Sequence, residues 1–219
     1  MIEFHDVSKT YQPRGLIRRV FSGLSFRIER GDSLAICGAN GAGKSTLLRL
    51  IGGVEHPTAG RIERTMRTSW PIGFGSCFQG SMTGSDNARF IARIYRHDEN
   101  EVLEYVEDFA RLGAYMSQPV STYSSGMISR LAFGVSLAID FDCYLVDEVA
   151  AAGDVRFRKR CEEELLARRD SSTLIMTSHD PYMLEQYCTR GAVLYRGVLA
   201  FYDTVTEACN VHHALQMRH

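Results

Sequence analysis

One short run constrains the fold more than anything else in the chain. Gly38-Ala39-Asn40-Gly41-Ala42-Gly43-Lys44-Ser45 fits the pattern G-x-x-x-x-G-K-[ST]. It follows an apolar run at 33–37 and precedes the helical spacing of Leu47, Leu48, Leu50 and Ile51. A buried strand, a glycine-rich turn and a helix in that order leave few folds open. Glycines let the backbone close around an oxyanion, with N–H groups turned inward at a helix N-terminus. Lys44 supplies positive charge for β- and γ-phosphates, and the Ser45 hydroxyl is placed to hold Mg²⁺.

The rest of the chain supports an α/β fold. Strand character is expected at 1–6, 21–28, 61–64, 143–146 and 173–176, with a hairpin at 191–202 around Gly197. Helices are expected at 87–95, 100–112 and 155–169, and after Thr204. Strands separated by helices imply a mainly parallel sheet covered on both faces, and the first strands add antiparallel character. Residues 80–141 hold little strand signal and read as an inserted helical lobe. A chain of 219 residues, 45% hydrophobic, has material for one such domain. The net charge of −1 offers no field for nucleic acid, so no nucleic-acid partner is expected. The run 131–139 is too short to span a bilayer, and no signal peptide is visible. The six cysteines form no CxxC pair, which suits reduced thiols in a cytoplasmic compartment. Only Lys9, Lys44 and Lys159 are lysine among the 25 basic residues, so each invites a reason.

A second chemical group follows the run Cys143-Tyr144-Leu145-Val146. Asp147, at a strand tip, is well placed to hold Mg²⁺, and Glu148 can deprotonate an attacking water. His179 follows the strand at 173–176 and can contact a γ-phosphate. A histidine before Asp180-Pro181 equally suits a plain turn.

These pieces, in this order, resemble the nucleotide-binding subunit of an ABC transporter, over essentially the whole chain. The resemblance implies a P-loop NTPase (RecA-like) core with an antiparallel β subdomain and an inserted α-helical subdomain. It also implies that ATP sits on Gly38, Ala39, Asn40, Gly41, Ala42, Gly43, Lys44, Ser45 and Thr46. Tyr11 matches the aromatic that stacks on adenine, and Gln79 the glutamine that reaches Mg²⁺ beside Ser45 and Asp147. Glu148 and His179 take the catalytic places. Tyr123-Ser124-Ser125-Gly126-Met127 stands where the family has Leu-Ser-Gly-Gly-Gln, so Ser124, Ser125 and Gly126 would contact ATP held by a second copy. Asp154 stands at the dimer-contacting aspartate loop, here without its usual Ser-Ala-Leu lead.

The strings Phe78-Gln79-Gly80-Ser81-Met82-Thr83-Gly84 and Ala92-Arg93-Ile94-Tyr95 look like the capsular-polysaccharide exporter ATPases of the KpsT type. That likeness implies a homodimer on the cytoplasmic face of the bacterial inner membrane. Its partners would be an integral-membrane permease and, through it, periplasmic and outer-membrane export components. Exporters of O-antigen or teichoic acid are the neighbouring reading, and a soluble ABC ATPase the more distant one. Near Gln79, Met82 and Phe90 either receive a helix of the permease or fill the lobe's own core. The arginines at 14, 18 and 19 form either a lipid-facing patch or a solvated loop.

Overall fold

The computed structural model describes residues 1–12, 15–72, 78–147 and 155–217. The chain divides into two compact units. The first is Met1–Pro71, Phe141–Glu148 and Ala167–His219; the second is Ile72–Asp140 and Val149–Leu166.

Two sheets build the first unit. β1 (Ile2–Tyr11), β2 (Arg18–Ile28) and β4 (Ala59–Arg64) pair antiparallel in the order β2-β1-β4. Ile2, Phe4 and Val7 of β1 are buried, and the change of parity after Phe4 marks a bulge at Asp6, whose φ is +51°. Strand character expected only to Asp6 therefore resumes beyond the bulge and runs to Tyr11, opposite Arg18.

The larger sheet has the order β5-β6-β7-β3-β8-β9. Its strands are β3 (Ser33–Cys37), β5 (Thr68–Ile72), β6 (Cys143–Asp147), β7 (Thr173–Thr177), β8 (Arg190–Tyr195) and β9 (Val198–Tyr202). β6, β7, β3 and β8 run parallel, while β9 returns antiparallel through Arg196 and Gly197, both at positive φ. Every residue of β3 and β7 is buried, which is why both read as unbroken apolar runs. Between the sheets lies α1 (Lys44–Ile51), whose Leu47, Leu48, Leu50 and Ile51 join Phe4, Phe21, Leu145 and Ile175 in one core.

The elements not expected include an edge strand and a short helix. β5 is an edge strand, which lets Pro71 stand in it without breaking the ladder; Ser69 Oγ accepts from Leu145 N at 2.9 Å. The helix α6 (Pro181–Tyr187) begins with Asp180 as its cap, accepting from Tyr182 N at 3.0 Å, and with proline in its first turn. α7 (Val205–Gln216) closes the unit.

The second unit is helical. α2 (Gly84–Tyr95), α3 (Glu99–Ala110), α4 (Ser125–Ala138) and most of α5 (Val155–Arg169) bury Ile91, Val106, Phe109, Leu131, Phe133 and Phe157. α2, α3 and α4 start on side-chain caps at Thr83, Asp98 and Ser124. Phe90 is half exposed on α2, so it does not fill this core. Among the described residues no helix is long and apolar enough to cross a membrane. The parallel sheet, antiparallel sheet and helical lobe are the architecture expected from the sequence.

Candidate functional site

Parallel pairing brings the carboxyl ends of β3, β6 and β7 to one edge of the larger sheet, with Asp147 opposite Thr177. The loops leaving that edge carry Asn40, Gly41, Gly43, Asp147 and His179. They line one cleft of about 350 Å³, which Tyr11 reaches from β1.

Two positions of the loop at 38–43, Gly38 and Gly43, leave no room for a side chain. Gly43 caps α1 at φ +109°, and a Cβ there would stand 2.4 Å from Val20 Cγ1. With glycine as its cap, α1 begins without a side-chain hydrogen bond to its first N–H groups and without an acidic residue in its first turn. Such an end attracts an anion. The buried Lys44 holds its Nζ within the loop, donating to Gly38 O at 2.7 Å and Ala39 O at 3.2 Å. Ala42 N closes the turn onto Ala39 O at 3.1 Å. Arg18 also serves this loop: its Nη2 donates to Gly41 O at 3.2 Å. Arg18 and Arg19 thus lie in β2 rather than in a solvated loop, and Arg14 lies outside the described residues.

Asp147 is fixed by Thr177, whose Oγ1 donates to its Oδ1 at 2.7 Å. Ser45 and Asp147 line the same cleft, and their donors are hard oxygens alone. That set fits Mg²⁺ and does not suit a soft metal.

Sequence reasoning missed the group that anchors Tyr11. Its hydroxyl donates to Glu55 Oε2 at 2.8 Å and lies 3.4 Å from Thr46 Oγ1. Arg49 donates to Glu55 Oε2 at 3.2 Å and to Thr46 Oγ1 at 3.3 Å. Lys9 completes the group, 2.8 Å from Glu55 Oε1 and 5.0 Å from the centre of the Tyr11 ring. Burial opposes charge on Glu55, but hydrogen bonds from Lys9, Tyr11 and Arg49 outweigh it and hold the carboxyl below its ordinary range. The scarcity of lysine was the one available signal, since it singles out Lys9.

His179 also faces a smaller cavity with Cys37, Cys209 and His212. Cys37 Sγ lies 3.7 Å from Cys209 Sγ, and burial pushes the Cys37 thiol up to about 12. Burial, with the nearby charges of Lys44 and the other histidines, lowers His212.

Other expected site residues belong to the second unit. Gln79 N donates to Asn87 Oδ1 at 2.9 Å, and its Nε2 donates to Ser81 Oγ at 3.2 Å. Ser124 caps α4, accepting from Met127 N at 3.3 Å, with Ser125 and Gly126 in the first turn. Glu148 and Asp154 lie outside the described residues.

The chain is 48% identical over 215 residues to the capsule polysaccharide export ATP-binding protein CtrD of Neisseria meningitidis serogroup B, covering 98% of this chain and 100% of the relative. It is 45% identical over 211 residues to the polysialic acid transport ATP-binding protein KpsT of Escherichia coli, covering 95% and 96%. Its fold is similar to the dimeric post-hydrolysis structure of the ATP-binding cassette MJ0796 bound to ADP and Pi. The TM-score is 0.72 at 21% identity, over 92% of this chain and 98% of that one. The family model for the ABC transporter matches residues 21–151, and the chain belongs to that family.

Proposed function

We propose that this chain is the ATP-binding and hydrolysing subunit of an exporter of capsular polysaccharide. The strongest support is its end-to-end likeness to two relatives named for capsule polysaccharide export and polysialic acid transport. In this reading Lys44 exchanges its two loop carbonyls for the β- and γ-phosphates of ATP, while N–H groups of the loop and α1 take the remaining oxygens. Ser45, Asp147 and Gln79 would hold Mg²⁺, which offsets charge on the phosphates. Glu148 follows Asp147 in the chain and takes the proton of the attacking water. His179 holds a γ-phosphate oxygen, and Tyr11 stacks on the adenine.

Two copies work together. Ser124, Ser125 and Gly126 of one copy contact the ATP on Lys44 of the other, and Asp154 joins the dimer contact. The partner is an integral-membrane permease, with periplasmic and outer-membrane components acting through it, so the subunit works at the cytoplasmic face of the inner membrane. Phe90 and Ile94 are both exposed on α2, four residues apart and so on one face, which suits a helix of that permease.

The test is made in the native host. Lys44→Ala should abolish nucleotide binding, and Glu148→Gln should keep binding but stop hydrolysis. Either variant should leave capsular polymer inside the cell. A normal capsule would overturn the reading, and retention of a different surface glycan would move the chain to another exporter class.

A further inference from the structure

A second cleft, of about 500 Å³, opens in the helical unit between the end of α3, the middle of α4 and the first turns of α5. It shares no lining residue with the phosphate cleft. Arg111, Arg130, Arg156, Lys159 and Arg160 line it, against a single carboxylate, Glu163.

Two guanidiniums are pinned in place. Arg130 lies 4.9 Å from the Phe157 ring centre and donates to Ala110 O at 3.3 Å. Arg160 lies 4.9 Å from the Phe109 ring centre, donates to Asp108 O at 2.7 Å and pairs with the Asp108 carboxylate. The two rings meet edge-on at 5.4 Å, so both cations rest on one rigid aromatic floor. Arg111 and Arg156 have no hydrogen bond or ion pair from their side chains among the described residues. Lys159 approaches Glu163 only at 3.8 Å, between exposed groups.

This clustering is costly without a ligand. Like charges repel, and cations in the first turns of a helix oppose its dipole. α5 nevertheless carries Arg156, Arg158, Lys159 and Arg160 there, with no acidic residue in its first turn. An anion in the cleft reverses the sign of both terms. Four of the five cations are arginine, whose planar forks bind phosphate oxygens in pairs.

We propose that this cleft binds a phosphate-bearing anion, as a regulatory or docking site separate from the nucleotide site. The proposal goes beyond the export function and does not depend on it. A soluble phosphate compound and a phospholipid headgroup share this chemistry.

The test uses the full chain carrying Lys44→Ala, so that the phosphate loop contributes little. Inorganic pyrophosphate is titrated by calorimetry, and vesicles containing phosphatidylglycerol are tested by co-flotation. Arg111→Gln with Arg156→Gln should weaken whichever probe binds at least tenfold, with thermal unfolding not lowered, because both side chains are exposed and their neutralisation relieves repulsion within the cluster. Loss of pyrophosphate binding alone identifies a soluble ligand; loss of flotation alone identifies a lipid headgroup. Absence of binding by both probes, or a change below twofold in the double variant, overturns the proposal. So does binding of poly-glutamate without either phosphate probe, which would make the cleft a site for acidic protein segments.

Discussion

Glu55 holds more of the nucleotide cleft together than its place in a connecting loop suggests. It accepts from Tyr11, Arg49 and Lys9 at once, so its loss removes the shortest tie of the Tyr11 hydroxyl and the ion-pair partner of the buried Lys9, whose Nζ still donates to His56 O at 2.7 Å. Glu55→Ala should cost about 1–3 kcal/mol of stability. With Tyr11 in its proposed place on the adenine, the substitution should weaken ATP binding several-fold while leaving tripolyphosphate binding unchanged. Parallel titrations with the two ligands separate this from a general loss of fold. The same carboxyl sets a pH dependence. Its folded value is depressed, so its contribution is complete above the unfolded value of about 4.3 and is lost as pH falls through the folded value. Thermal unfolding followed from about pH 6 to pH 3 should therefore fall more steeply in the wild type than in Glu55→Gln.

Among the elements, helix caps separate stability from function. Asp98 accepts from Asn100 N at 2.8 Å and Glu101 N at 3.0 Å, and Ser124 caps α4 in the same way. Asp98→Ala and Ser124→Ala should each cost about 1 kcal/mol in thermal unfolding. Only Ser124→Ala should also reduce the ATP-dependent dimer formed by the Glu148→Gln chain, read by light scattering. Equal effects on dimerisation would remove Ser124 from the second copy's nucleotide. Elements were legible where burial made the pattern simple. β3, β6 and β7 are apolar runs because both their faces are covered. β5 escaped notice because it lies at the sheet edge and contains proline. α6 had its signal in Asp180-Pro181, a cap followed by a first-turn proline, but the same pair also suits a turn. The residues at the strand ends could be picked out because the motif is local. The anchor of Tyr11 could not, since apart from Lys9 its members, Thr46, Arg49 and Glu55, are 35 to 44 residues from it along the chain and meet it only through the fold.

For the whole molecule, the proposed coupling to a membrane partner would turn on α2. Thr83 caps that helix and exchanges hydrogen bonds with Asp86, so a charge there would unsettle the helix itself. Phe90 is the cleaner probe, being half exposed. Phe90→Glu should abolish export in the native host while ATP hydrolysis by the isolated subunit stays at the wild-type rate. Normal export would place the coupling surface elsewhere. The position of β3 carries a further consequence, for the order of events during synthesis. Its neighbours are β7 and β8, so Ser33 waits for Leu174 and Leu34 for Arg190. A nascent chain that has already emitted the phosphate loop and every helix of the second unit's α2–α4 still lacks both flanks of the strand that supports that loop. ATP in the surrounding solution therefore has nothing to template until β7 and β8 have left the ribosome. Until then, the exposed edges of β3 are a substrate for chaperones.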